Sequence, residues 1–166
     1  MSSKEATLSL LDYLPTSSIC VDLKSQTKAE VLKEMVVLLT SAHAIKNQEK
    51  ILEALLEREE LGSTGIGQGV AIPHGKSEHV TQVTAALGVS KKGINFEALD
   101  GEPVHLFFML VAPLDSAGVH LKILAKISRL LKDKFFRQAL RESKTAEEAA
   151  RQIKEEDEYQ LKAKAW

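Results

Sequence analysis

The chain has 166 residues, 44% of them hydrophobic and 27% charged, which is enough for one domain with a substantial core. Its 22 basic and 23 acidic residues leave a formal net charge of -1, so it carries no global basic field and nucleic acid is excluded as an expected partner. One cysteine, Cys20, cannot close an internal disulfide. No apolar run approaches the roughly 18 residues of a membrane span, and Met1 to Thr7 lacks a signal-peptide core, so a cytoplasmic protein without membrane insertion is expected.

Residues 8–23 hold two apolar stretches, Leu8–Leu14 and Ile19–Leu23, on either side of a turn-like Pro15–Ser18; they read as strand-like. Thr27-Lys28-Ala29-Glu30 has capping-box spacing, and Val31, Leu32, Met35, Leu38 and Leu39 follow at helical intervals. This predicts a helix from Lys28 to His43. A second helix begins after Asn47, with Ile51, Leu52, Leu55 and Leu56 as its buried stripe and Gly62 as its stop. A glycine-dense loop over 62–69 leads into a short strand, Val70-Ala71-Ile72, closed by Pro73. Val83, Ala85, Leu87 and Val89 alternate as in a half-buried strand, and Lys91-Lys92-Gly93 is expected to turn the chain. His105 to Val111 is almost continuously apolar, the signature of a central strand covered on both faces.

After Pro113 a long helix is predicted from Val119, Ile123, Ile127 and Leu130, with Leu124 and Leu131 beside them. Asp133 to Arg141 forms another, and Thr145-Ala146-Glu147-Glu148 opens a terminal helix with a second capping-box spacing. The charged end from Glu155 to Trp166 is expected to fray. Interleaved helices and strands without repeats or linkers argue for a single α/β domain spanning 1–166, with its core over about 8–153 and a mixed sheet flanked by helices.

The chemistry concentrates between Arg58 and Lys76. Glycine occupies positions 62, 65, 67 and 69, a density that core packing does not demand. Bare amides in such a loop can form a nest for an anion, Ser63 and Thr64 add hydroxyls, and Arg58 offers a cationic fork suited to phosphate oxygens. Two nucleotide motifs fail on spacing. A P-loop ending at Gly75-Lys76-Ser77 would need glycine at position 70, which is Val70, and a dinucleotide fingerprint from Gly65 would need Gly or Ala at that same position. His74 lies between Pro73, which stiffens the backbone, and Gly75, which is expected to leave space in front of the ring. An imidazole so framed is a candidate nucleophile and phosphoryl acceptor near neutral pH.

The other histidines are weighed alike. His43 reads as a helix-end or surface residue and His105 as structural. His79 lacks the spacing of a ligand pair with His74. His120, early in a helix just after a buried strand, stays open between packing and site. No cysteine or carboxylate pattern accompanies them, so no metal site is expected. Ile66 and Ile72 are read either as a docking rim beside the loop or as core.

At Leu55-Leu56-Glu57-Arg58-Glu59, Gly62-Ser63-Thr64-Gly65-Ile66-Gly67 and Val70-Ala71-Ile72-Pro73-His74-Gly75-Lys76 the sequence resembles the enzyme IIA domain of the bacterial phosphotransferase system, of the fructose/mannitol and nitrogen-regulatory type. A second match is Leu110-Val111-Ala112-Pro113 followed by Val119-His120-Leu121, and the similarity runs from about Leu8 to Ile153. The resemblance implies a three-layer α/β sandwich with a central mixed β-sheet. It implies His74 as the phosphorylated residue, His120 as a second active-site histidine that contacts the phosphoryl group, and Arg58 as a neutraliser of its charge. Amides of Gly62, Ser63, Thr64, Gly65 and Gly67 would bind the phosphate. The implied donor is phosphorylated HPr or a paralogue, and the implied acceptor is a cysteine of an enzyme IIB domain. No cofactor is called for, since the phosphate arrives activated on protein. Within the family the alternative is a regulator whose phosphorylation state governs a partner protein. Outside it, a non-enzymatic anion-binding module competes, with a metal hydrolase the weakest reading.

Overall fold

The computed structural model describes residues 8–164. Where Leu8–Leu14 is expected to be strand-like, the chain instead makes a 3-10 turn at Leu10–Asp12; the expected turn at Pro15–Ser18 is a second 3-10 turn, Thr16–Ser18, and of Ile19–Leu23 only Ile19–Cys20 is strand, β1. The cause is local. Leu10 and Leu14 are both fully buried while Asp12 between them is exposed, so burial does not alternate as a strand face would require. Pro15 then caps the second turn, with its carbonyl accepting both the N–H and the hydroxyl of Ser18 at 2.8 Å.

Helix α1 (Lys28–Ala42) starts as predicted: Thr27 Oγ1 accepts the Glu30 N–H while Glu30 accepts the Thr27 N–H, both at 3.2 Å. Helix α2 (Gln48–Glu60) buries Ile51 and Leu55, whereas Leu56 of the expected stripe faces solvent. Leu52 is partly buried and packs against the same core. The glycine loop is shorter than expected, because Gly65–Gly67 forms strand β2, antiparallel to β3 (Val70–Ala71). After Pro73 comes β4 (His74–Lys76), and the long strands β5 (Thr84–Ile94) and β6 (Val104–Ala112) complete a six-stranded mixed sheet. Its order is β1-β5-β6-β3-β2, with β4 lying beside β6 on the same edge as β3. β5 and β6 are antiparallel, while β1 runs parallel to β5, and β3 and β4 run parallel to β6.

Successive side chains of β5 and β6 point into two separate cores. Ala85, Leu87, Val89, Leu106, Phe108, Leu110 and Ala112 pack with the N-terminal turns and with α3 (Ala117–Leu130), α4 (Lys134–Glu142) and α5 (Ala146–Lys164). Ala86, Phe107, Met109 and Val111 pack with α1 and α2. The expected three-layer α/β sandwich is therefore observed, with β5 buried on both faces rather than half-buried. Small residues had disguised its second face. A Cβ at Gly88 would stand 2.4 Å from Met35 Sδ and 2.7 Å from Leu23, so α1 lies directly on the strand. Lys91-Lys92-Gly93 does not turn the chain either. β5 continues to Ile94 through a register shift, with Gly93 at φ 85°.

In α3 the buried row is His120, Ile123, Ile127 and Leu130, while Val119 is exposed. Asp133 caps α4 by accepting the N–H groups of Phe135 at 2.8 Å and Phe136 at 3.3 Å. The charged end is helical to Lys164 where fraying was expected; residues 165–166 lie outside the described residues. It is fastened by Asp157, whose carboxylate lies 2.6 Å from Lys126 Nζ on α3 and accepts the Leu10 N–H at 3.4 Å. Gln160 adds a bond to the Arg129 carbonyl at 3.3 Å. No helix among the described residues is long and apolar enough to cross a membrane.

Candidate functional site

β3 and β4 occupy one edge of β6 in succession, and Pro73 sits at the break between them. Proline has no N–H to give a ladder, but its carbonyl accepts the Leu110 N–H at 2.9 Å and keeps the register. His74, Gly75 and Lys76 then pair with Leu110, Val111 and Ala112 at the C-terminal end of β6. Gly75 does not open space before the His74 ring. A Cβ there would stand in ordinary contact with Ala54 O and Leu55 Cδ2 at 3.6 Å, so this position faces α2.

The His74 ring is tied to its own backbone. Nδ1 lies 2.7 Å from the Ile72 carbonyl oxygen, which can only accept, so Nδ1 carries the proton. Nε2 is thereby left with a free lone pair on a half-buried ring. β6 continues through Ala112-Pro113 into α3, and the first buried position of that helix is His120. Its ring centroid is 5.7 Å from that of His74, with the planes at 60°. His120 is 5% exposed, and its buried Nδ1 has no hydrogen-bond partner among the described residues. Burial, then the charges of His74 and Lys76, push its pKa below the ordinary imidazole value, which favours the neutral ring.

Arg58, in the last turn of α2, donates from Nη1 to the Gly62 carbonyl at 2.9 Å. Gly62 leaves the helix at φ 148°, a region that glycine enters without strain. The hydroxyls and amides that follow are largely engaged within the protein. Ser63 Oγ donates to the Phe96 carbonyl at 3.0 Å and accepts the Gly65 N–H at 3.0 Å. Thr64 gives both its N–H, at 3.2 Å, and its hydroxyl to the Glu59 carboxylate. Gly65 and Gly67 serve close packing: a Cβ on Gly65 would stand 2.8 Å from Ala98 Cα, and one on Gly67 would stand 3.1 Å from Asp100 Oδ2. The structure thus gathers His74 and His120 into one site and places Arg58 at the head of the 62–65 segment, with the Thr64 and Gly65 amides turned inward.

The remaining histidines are spoken for. His43 Nε2–H donates to Ala85 O at 3.0 Å, His105 Nδ1–H donates to Ser90 O at 2.9 Å, and His79 pairs with Asn47 at 3.1 Å. Among the described residues no group of three or more His, Cys, Asp or Glu side chains could hold a metal ion. Ile72 is core, whereas Ile66 is 48% exposed. Two residues near the site, Lys76 and Glu59, lie within the motif stretch but are given no role by the sequence reading. Lys76 stands two positions from His74 on the same face of β4. Nothing in the spacing of Glu59 points to its partner Lys28.

An imidazole with a defined free nitrogen beside a second buried imidazole can accept and release an anionic group. The family described as "Phosphoenolpyruvate-dependent sugar phosphotransferase system, EIIA 2" matches residues 12–156. A nitrogen regulatory protein of Bradyrhizobium diazoefficiens is 37% identical over 138 residues, covering 83% of this chain and 90% of the relative. The fructose-specific EIIABC component of Bacillus subtilis is also 37% identical over 138 residues, but the chain spans only 22% of its length. The crystal structure of nitrogen regulatory protein IIA-Ntr from Neisseria meningitidis superposes with a TM-score of 0.80 at 36% identity, covering 86% of this chain and 97% of that one. On sequence and fold together, the chain belongs to the EIIA 2 family of the phosphoenolpyruvate-dependent sugar phosphotransferase system.

Proposed function

We propose that the chain is a phosphoryl carrier in which His74 Nε2 takes a phosphoryl group from phospho-HPr or a paralogue and passes it to a cysteine of an enzyme IIB domain. The observation that carries this reading is the 2.7 Å bond from His74 Nδ1–H to Ile72 O, which leaves Nε2 as the nucleophile. In the first step Nε2 attacks phosphorus and the donor's P–N bond breaks, its electron pair returning to the donor imidazole. Nδ1–H stays on Ile72 O, so the phosphorylated ring keeps cationic character and remains a good leaving group. In the second step a thiolate attacks phosphorus and the pair returns to His74 Nε2. Little covalent chemistry is asked of the protein, and positioning and charge stabilisation do the rest. His120 supplies a neighbouring imidazole whose Nδ1 has no other partner, and Arg58 supplies fixed positive charge at the loop. Of the loop groups, Gly62 and Ser63 lie nearest Arg58 in sequence. Thr64, Gly65 and Gly67 shape the segment in the unphosphorylated state, and any contact to phosphate from the Thr64 and Gly65 amides requires local rearrangement. Exposed Ile66, Leu114 and Leu121 offer apolar surface for protein docking.

Intact-mass spectrometry after incubation with phosphoenolpyruvate, enzyme I and HPr tests the reading. One acid-labile phosphoryl group is expected on the wild type and none on His74→Ala; full labelling of His74→Ala would overturn it. A second reading, regulation of a partner by phosphorylation state, is favoured by the relatives named nitrogen regulatory protein, one of which the chain covers almost end to end. It uses the same chemistry at His74. Capture of a partner by only one phosphorylation state, with no transfer to enzyme IIB, would select it.

A further inference from the structure

Behind the reacting groups lies a charged pair that the chemistry does not touch. Glu59, at the end of α2, has 6% of its side chain exposed, and Lys28, which opens α1, has 21%; their charged atoms are 3.0 Å apart. The Lys28 ammonium also stands 4.7 Å from the centre of the Phe96 ring and 3.4 Å from the Glu97 carboxylate, so its place is fixed from three sides. A carboxylate held from water needs hydrogen-bond partners, and Glu59 directs its other acceptor sites at one residue, Thr64, taking its N–H and its hydroxyl.

What lies beyond Thr64 gives the pair its meaning. The Thr64 carbonyl accepts the Ile72 N–H at 3.0 Å, and the Ile72 carbonyl accepts His74 Nδ1–H at 2.7 Å. A continuous path therefore runs from Lys28 through Glu59, Thr64 and Ile72 to the imidazole. The neighbouring residue acts in parallel, since Arg58 holds the Gly62 carbonyl while Glu59 holds Thr64, and the two clamp the short segment from both ends. A brace needed only for stability could end anywhere in the core; this one ends on the ring that reacts.

We infer that Glu59 and Lys28 are positioning residues for phosphoryl transfer, which fix Thr64 and, through Ile72, the tautomer and rotamer in which His74 presents Nε2. The inference deepens the phosphocarrier reading and rests on it. Outer partners that orient a metal-bound imidazole typically matter by roughly 10- to 100-fold, and the lower end of that range is carried over to this ring; small misplacements of a nucleophile are costly in rate.

The test combines ¹⁵N spectra of the imidazole nitrogens with steady-state phosphorylation by phospho-HPr, on wild type, Glu59→Ala, Glu59→Gln and Lys28→Met. Glu59→Ala is expected to lower kcat roughly tenfold while KM for phospho-HPr stays within about twofold. It should also move His74 signal from the Nδ1–H toward the Nε2–H tautomer. Glu59→Gln, which keeps an acceptor for Thr64, should recover most of both. A merely structural role would lower the melting temperature and leave tautomer and kcat unchanged; that result in folded Glu59→Ala overturns the inference. Should Glu59→Ala fail to fold, Lys28→Met decides by the same two readouts, because Lys28 is the more exposed partner. Failure of wild type to take label refutes the carrier reading, with the tautomer spectra still judging the path. Labelling on His74 with unchanged variants refutes the path alone.

Discussion

Replacement of Asp157 by alanine should be among the most destabilising substitutions in this protein, although it lies near the end of a helix that looks like a solvated tail. Lys126 and Asp157 are 2.6 Å apart, with 9% and 7% of their side chains exposed. Truncating the acid leaves an ammonium with little access to water and also removes the acceptor of the Leu10 N–H. Breaking a buried pair from one side costs on the order of 3–5 kcal/mol. Lys126 has a long stem along which its head can reach toward solvent, so the lower end, about 3 kcal/mol, is expected. For a chain of this length that corresponds to a fall in Tm of roughly 6–12 °C. Urea denaturation of wild type and Asp157→Ala would measure it, and Asp157→Leu, Lys126→Met and the double variant Lys126→Met/Asp157→Leu would close a cycle with wild type. The double variant should lie close to wild type, because removing both charges also removes both desolvation costs. A loss below about 1 kcal/mol for Asp157→Ala would show that the pair is effectively hydrated, and the account of how the C-terminal helix is fastened would fall.

Three further outcomes follow from the site. His120→Ala should weaken onward transfer to enzyme IIB more than acceptance of the phosphoryl group, which separate single-turnover measurements of the two half-reactions would check; equal losses would contradict the role given to His120. Because burial holds the His120 pKa below 6.5, the unfolded chain takes up a proton before the folded one does. Its stability contribution is therefore complete above about pH 6.5 and is lost as pH falls from there through the lower folded value, and His120→Asn should flatten that part of the stability profile in denaturant titrations. Gly65→Ala forces a Cβ to within 2.8 Å of the Ala98 backbone. A cost of roughly 1–3 kcal/mol, with a displaced 95–100 segment in amide spectra, is expected; a neutral result would mean that the two segments are not in fixed contact.

What could be read from the sequence was local or periodic. Both capping boxes announced helices because donor and acceptor stand three residues apart. The apolar run of β6 revealed a central strand because only a strand covered on both faces can be apolar throughout. His74 stood out through its setting, and His120 could have been placed by noticing that it shares a helical row with Ile123, Ile127 and Leu130. The misreadings have a common origin in contacts distant along the chain. Gly65 and Gly67 resembled a ligand cradle, but what they accommodate is Ala98 and Asp100. Gly88 hid the second buried face of β5, since a residue without a side chain leaves no apolar mark. Asp157 reads as part of a charged tail and Glu59 is given no role, because Lys126 and Lys28 lie on other helices and no spacing rule connects them.

The group that sets the proton on His74 is a main-chain carbonyl. Point substitution can delete an aspartate or a glutamate that orients a histidine, but it cannot delete the oxygen of Ile72. The orientation of the His74 ring is thus insulated from changes of side chain at position 72 itself and is exposed instead to changes in the path of the backbone. Pro73 follows that carbonyl directly, in the step between β3 and β4. Variation that alters the reactivity of His74 without touching any charged residue should therefore concentrate at Pro73, where a freer φ would let the carbonyl swing out from under the ring.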